Sequence, residues 1–276
     1  MTEEKLKSLL IAFGSIFMII FCLSPFVYMI VTSFAKQPDF LAAQTNFQFT
    51  FSNYYSVLTT KTLHFVEYLR NSLIVSAVSA LLCVVIASLA AYAITRLSFK
   101  AAAVILLFTL ATSMFPQISL VSYLFKFMTA LGWINTYFAL IFPYIAWILP
   151  LSLWILVSYF SQIPKELDKA ALVDGCSYWQ ILYKVIFPVA SPGIFSTALL
   201  AFIFAFNEFM FALVLTTDYN ARTIPVGIAL FQGLHGEIPW GNIMAASTIT
   251  TIPVVMLTII FQRHIIQGLT RGAVKG

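Results

Sequence analysis

Charge is scarce in this chain. Asp, Glu, Lys and Arg together make up 9% of 276 residues, against roughly 25% in an ordinary soluble domain, and that excludes a solvated globule. Cysteine is scarce too. Cys22, Cys83 and Cys176 stand far apart, two of them inside apolar runs, so neither a disulfide framework nor a metal spacing exists, and they read as small buried hydrophobes. The three histidines, His64, His235 and His264, form no cluster. A GxSxG elbow, an HExxH pair and a phosphate-binding P-loop are all missing, so the chain is no hydrolase and cannot cleave ATP by itself. No low-complexity tract or internal repeat interrupts it.

Hydrocarbon is what the sequence does contain: 61% hydrophobic residues, 27 of them Phe. About 20 apolar residues span a bilayer core as a helix, and six stretches qualify: about Leu9–Phe34, Asn71–Thr95, Ala101–Phe125, Thr136–Phe160, Pro192–Thr217 and Asn242–Gln262. The first follows Lys5 and Lys7 but runs too long for a signal peptide and contains Pro25 and Tyr28, so it reads as a retained helix. The expected fold is all-α, one polytopic domain over 1–276 with six transmembrane helices. Lys and Arg orient it. With the N-terminus inside, the inner side holds Lys5, Lys7, Arg96, Lys100, Lys165, Lys169, Lys184, Arg263, Arg271 and Lys275, and the outer side Lys36, Lys61, Arg70, Lys126 and Arg222. Both termini are then cytoplasmic, and the net charge of +5 is a topological bias rather than a nucleic-acid footprint.

Two outer loops are long, about 35–70 and 218–241. The second surrounds the apolar Val226–Leu234 with Pro225, Gly227, Gly233, Gly236, Pro239 and Gly241; it either packs back on the helices or meets an outside partner. Pro25, Pro116, Pro143, Pro150 and Pro253 fall inside crossings, where each removes a backbone donor and bends its helix. Glu208, beside Asn207, is the one acid inside a crossing. It is read either as the proton-relay carboxylate of a secondary carrier or as a hydrogen-bonded residue that sets gate geometry.

The most informative segment is the inner loop, about 161–190. Pro164 suits the first turn of a helix, and Glu166 and Asp168 follow where the helix dipole favours acids. Leu167, Ala170, Ala171 and Asp174 fall at i, i+3, i+4, i+7, a small face that another surface can approach closely. Gly175 supplies the permissive C-terminus. Ser177 caps a second short helix with Trp179, Leu182, Tyr183 and Ile186 on its apolar face, and Pro188 is expected to stop it before the fifth crossing. The product is a helix–glycine–helix elbow; the competing reading is an amphipathic loop lying on lipid headgroups.

Ala170-Ala171-x3-Gly175, then nine residues, then Val185-Ile186-Phe187-Pro188, resembles the signature of permease subunits of binding-protein-dependent ABC importers, with Lys169 where that family usually has Glu. Asn71-Ser72-Leu73, Ala90-Ala91-Tyr92-Ala93 with Arg96, Gly132-Trp133-Ile134-Asn135-Thr136, Pro150, Asn207-Glu208-Phe209, Thr223-Ile224-Pro225-Val226-Gly227, Trp240 and the tail Gly268–Gly276 extend the likeness to the smaller permease of maltose-type, carbohydrate-uptake systems. The resemblance implies a cell-membrane heterodimer with a second permease, two copies of a cytoplasmic ATPase carrying ATP-Mg, an extracytoplasmic solute-binding protein and a sugar cargo, with no cofactor on this chain. It implies ATPase coupling through Glu166, Asp168, Lys169, Ala170, Ala171, Asp174, Gly175 and Pro188, a pore or gate at Asn207 and Glu208, and binding-protein contact at Thr223, Pro225, Gly227 and Trp240. It places the substrate mostly on the partner permease, so no aromatic residue here is assigned as a sugar platform.

Overall fold

A computed structural model describes residues 3–36, 48–97, 101–231 and 238–273. The helices run in the order α1 (Glu3–Ser33), α2 (Ser52–Thr59), α3 (Phe65–Arg96), α4 (Ala102–Ser113), α5 (Gln117–Ala130), α6 (Tyr137–Ser161), α7 (Glu166–Val173), α8 (Tyr178–Ile181), α9 (Phe187–Phe206), α10 (Met210–Leu215), α11 (Ile224–Ala229) and α12 (Trp240–Ala273). Among the described residues, five helical spans are long and apolar enough to cross a membrane, six if the bent pair α4–α5 is one span. Among the described residues the sole β feature is an isolated antiparallel bridge between Ala35 and Phe49. The all-α polytopic reading holds.

The chain forms two compact units, residues 1–65 with 228–252, and residues 66–227 with 253–276. In the first, α1 exposes its apolar side chains along most of its length, Phe13 at 70% for instance. Its last turn is fastened by Asn53, whose Nδ2 donates to the Ser33 and Ala35 carbonyls at 2.8 and 2.9 Å. The aromatic loop read from the sequence folds onto that point: Phe34 stacks on Phe49 at 5.1 Å and meets Phe51 edge-on at 5.3 Å.

The second unit carries every site residue singled out above except Trp240. Its core joins Ala87 and Ala91 of α3, Leu153, Leu156 and Phe160 of α6, Ile181 of α8 and Ala190 of α9. Lipid tails are as apolar as leucine, so close approach over small residues, not apolar burial, holds such helices together; Ala87, Ala91 and Ala190 supply it.

Two crossings differ from the sequence expectation. The third is interrupted: α4 and α5 meet at 91° across Met114–Pro116, because Pro116 lacks the donor that would continue the helix. In the fifth, Pro188 does not stop the elbow helix. A π turn over Leu182–Ile186, with the Phe187 N–H bonded to the Leu182 carbonyl, widens the backbone ahead of the ring, and helix continues from Tyr178 to Phe206. That crossing breaks instead at Asn207–Phe209.

Candidate functional site

The elbow is built by local backbone chemistry. Pro164 lies just before the helix, its carbonyl accepting from the Leu167 N–H at 3.3 Å, and Glu166 and Asp168 occupy the first turn. At the other end the Gly175 N–H reaches the Leu172 carbonyl at 3.1 Å and the Cys176 N–H the Ala171 carbonyl at 2.9 Å. That pair of bonds is a Schellman closure, which needs a left-handed residue, and Gly175 has φ +81°. Ser177 then makes a reciprocal capping box with Gln180, so the chain turns and restarts without leaving orphan donors.

The small face of α7 divides. Ala171 is buried against Ile181, Leu182 and Ile186, whereas Ala170, Glu166, Lys169 and Asp174 are exposed and Val173, at the tip, is 87% exposed. Asp168 turns inward and is half-buried. Its Oδ2 lies 3.2 Å from Nε of Arg96, an ion pair without hydrogen-bond alignment. Another guanidinium nitrogen of Arg96 donates to the Phe160 and Ile163 carbonyls at 3.2 and 2.8 Å. Arg96, only 4% exposed at its side chain, therefore ties the end of α3, the end of α6 and the first turn of α7. Burial pushes the Asp168 carboxyl above the usual carboxylate range, opposed by Arg96 and then Lys165. Pro188 lies in the continuous helix behind the elbow, not on its face.

At the Tyr137 end of α6, buried amide side chains do the tying. Asn71, fully buried, donates to the Tyr219 and Arg222 carbonyls at 2.9 and 3.0 Å and accepts from the Tyr137 hydroxyl at 2.7 Å. Ser72 Oγ accepts from the Ile224 N–H at 2.7 Å. Asn135, left-handed at φ 62°, accepts through Oδ1 from the Thr217 and Asp218 N–H groups. Hydrogen bonds from the Asn135 side chain and the Asn220 N–H hold the Asp218 carboxyl below the usual range. So residues 217–224 pack back on the second unit. Thr223 and Gly227 are buried within this chain, and a Cβ on Gly227 would sit 2.1 Å from the Tyr68 ring. Pro225 is half-buried, and Trp240, in the other unit, is 38% exposed. Gly233, His235 and Gly236, the last residues of the tail and the His264 side chain lie outside the described residues.

Glu208 stands in the break between α9 and α10 and is 8% exposed. Its two carboxylate oxygens accept the Phe211 N–H at 2.9 Å and the Ala212 N–H at 3.2 Å, donors that the short α10 leaves without intrahelical partners. The acid restarts its own chain after the break. The buried Tyr144 hydroxyl sits beside Glu208 and Thr223 without hydrogen-bond geometry to either. Asn207 is exposed, its Nδ2 donating to the Ile203 carbonyl at 2.8 Å. The sequence alone singled out Asn207 and Glu208 but missed Arg96 as a strut and Asn71 and Asn135 as loop anchors. All three lie in motifs that carry the family resemblance, and each is polar at the end of an apolar run, but neither signal names its partners.

Residues 83–271 match the model of the family described as binding-protein-dependent transport system inner membrane component. The chain is 59% identical over the full length of both proteins to the trehalose/maltose transport system permease protein MalG of Thermococcus litoralis. It is 42% identical to the trehalose transport system permease protein SugB of Mycobacterium tuberculosis, over 82% of each chain, and 40% identical to the sulfoquinovosyl glycerol transport system permease protein SmoH of Agrobacterium fabrum, over 82% of this chain and 79% of that one. In fold it resembles a chain of the crystal structure of a bacterial ABC transporter that imports the polysaccharide alginate, with a TM-score of 0.78, 19% identity and coverage of 95% and 98%.

Proposed function

The chain belongs to the family of binding-protein-dependent transport system inner membrane components and is a transmembrane permease subunit of an ABC importer; from that premise we propose that it carries glucose disaccharides of the trehalose and maltose kind. The full-length likeness to the Thermococcus litoralis permease carries the choice of cargo. A secondary carrier is not supported by the family match and the permease relatives; both Glu208 oxygens accept from backbone donors, which favours a capping role for it over a relay.

The proposed assembly has one copy of this chain, a second related permease, two copies of an ATPase that bind ATP-Mg, and an extracytoplasmic binding protein, with both termini of this chain on the ATPase side. The elbow seats in the ATPase through its exposed face: Glu166, Lys169, Ala170, Asp174 and the tip at Leu172 and Val173. Gly175 shapes that face from behind. Lys169 stands where the family has Glu, so its counterpart is an acidic side chain, and Glu166 and Asp174 remain to meet a basic one, since Asp168 is engaged by Arg96. When ATP binding draws the ATPase subunits together, the pull on α7 passes through the Arg96 guanidinium to the ends of α3 and α6 at the same moment. Asn207 and Glu208 then act at the break where α9 can change its angle to α10. The binding protein meets the half-buried Pro225 and the exposed Trp240, with Thr223 and Gly227 holding their loop in shape.

Purified complex should hydrolyse ATP faster with binding protein plus trehalose or maltose than with binding protein alone. In intact cells, Ser177→Cys in a chain whose Cys176 has been replaced should resist an impermeant thiol reagent. Disaccharide-independent hydrolysis, together with no disaccharide uptake into vesicles, would overturn the cargo; labelling from outside would overturn the orientation.

A further inference from the structure

Two helix breaks and a proline-bracketed stretch of α6 in the second unit come together at one groove. The α4–α5 bend ends at Gln117, the first residue of α5; the α9–α10 break spans Asn207–Phe209; and Pro143 and Pro150 bracket Trp147 in α6. The groove, about 540 Å³, is lined by Gln117, Trp147, Asn207, Glu208, Phe209 and Met210 among others. α10 packs against both α5 and α6. At 1.5 Å per residue, Trp147 stands about 15 Å from the start of α6 and about 21 Å from its end, which is mid-depth for a crossing.

Irregular backbone at that depth is tolerated only inside protein or along a water-filled cavity. Asn207 and Phe209 are exposed and Gln117 is half-buried, so the groove is open at the surface of this subunit. Transport proteins use such discontinuous helices near the midplane for cargo, and the volume lies in the range of small-molecule sites, roughly 300–1,000 Å³.

The lining chemistry selects the cargo class. Trp147 offers an indole face whose orientation is fixed by Phe211, edge-on at 6.3 Å and 82°. Asn207 commits one amide hydrogen to Ile203, which orients the group and leaves its Oδ1 as an acceptor. Gln117 adds a second neutral amide. Glu208 directs its two oxygens at the Phe211 and Ala212 N–H groups, and among the described residues lining the groove it is the one ionisable side chain, so the groove has no basic group. An anion would find no positive side chain here. A purely apolar solute would leave the amides unpaired, at a cost. A lipid phosphate would find no cation. An uncharged polyol with an apolar ring face fits an indole beside two amides.

Resting on the reading of the chain as a sugar permease, we propose that this subunit itself supplies a saccharide-binding subsite on the translocation path, with Trp147 as the ring platform and Gln117 and Asn207 as the hydroxyl partners. The path is then lined from both permeases, not from the partner alone.

The test uses the whole complex in liposomes, with ATP, binding protein, and trehalose and maltose as probes, comparing wild type with Trp147→Phe, Trp147→Leu, Gln117→Leu and Asn207→Leu. Co-purification of all subunits is checked for each. Trp147→Leu should cut the maximal uptake rate tenfold or more in an assembled complex, while Trp147→Phe, which keeps an aromatic face, stays within threefold of wild type. Gln117→Leu and Asn207→Leu should each change the trehalose-to-maltose rate ratio by at least threefold, which a general loss of stability does not do. The subsite is overturned if Trp147→Leu transports both sugars normally, if the Phe and Leu variants are equally impaired, or if Trp147→Leu loses the second permease on purification, which would assign the groove to the contact between permeases. Wild type that takes up neither sugar would instead refute the sugar-permease reading on which the subsite rests.

Discussion

Substitutions at Gly175 separate backbone strain from crowding at the hinge of the elbow. Gly175 has φ +81°, and a Cβ added there would meet no atom within 4 Å. Bulk therefore costs nothing in the closed elbow, and the whole penalty of Gly175→Ala is that of holding an L-residue in the left-handed region, about 1–2 kcal/mol. Since about 1.4 kcal/mol is a factor of ten, Ala should leave the Schellman-closed elbow roughly tenfold less favoured over opened forms. Asn visits the left-handed region several-fold more readily than other non-glycine residues, and a β-branched residue is an outlier there. The expected order of function is therefore Gly, Asn, Ala, Val. Side-chain size would put Ala ahead of Asn, so that one pair decides between the two causes. The measurement is disaccharide-stimulated ATP hydrolysis over the basal rate in purified complexes, with amide exchange across residues 166–182 reporting the elbow directly. Wild-type coupling in Gly175→Val, or weaker coupling in Gly175→Asn than in Gly175→Ala, would show that the left-handed backbone is not what the position requires.

Arg96→Lys keeps the charge but loses the planar fork that reaches Asp168 and two carbonyls together; leaving a largely buried carboxylate poorly paired costs on the order of 3 kcal/mol, and stimulated hydrolysis should fall while the chain still inserts, with Arg96→Met/Asp168→Leu recovering part of the loss. Asp218 has its carboxyl held below the usual range, so its contribution is present above the unfolded pKa and lost as pH falls through the folded one. Protection of the Asn220 amide, which donates to Asp218 Oδ1 at 2.7 Å, should drop below the ordinary carboxylate range, and Asp218→Asn should remove that step. Glu208→Gln replaces one of two accepting oxygens with a donor, a loss of about 0.5–1.5 kcal/mol or somewhat more with a buried N–H left unpaired. ATP-driven uptake in vesicles should slow but persist with the proton gradient collapsed by an uncoupler; its abolition by the uncoupler alone would return Glu208 to the role of a relay.

The crossings were legible because bilayer thickness turns length and hydropathy into a direct signal, and the elbow because glycine, serine and proline act over a few residues. The positive φ of Gly175 and the Ser177 capping box are local consequences of local sequence. The inward turn of Asp168 depends on Arg96 at the end of a distant helix, and no spacing rule connects the two. The same holds for Asn71, whose three partners come from two other parts of the chain.

The breaks were obscured for a different reason. The chain is apolar on both sides of Pro116, so composition cannot tell a gentle kink from the 91° turn of α4 on α5. Pro188 was misleading in the opposite direction, since the π turn before it absorbs the missing donor and lets helix continue. The polar pair at 207–208 was visible, but its meaning was not: a carboxylate inside a crossing suggests proton traffic until both its oxygens are seen on the backbone of the next helix. Among 27 Phe, Trp147 carries no sequence signal at all. It gains one only when Pro116 and Asn207 are both recognised as ends of helices. The two breaks set amides beside the indole, and a polar side chain in a membrane helix needs a polar partner, whether another helix or the cargo proposed above.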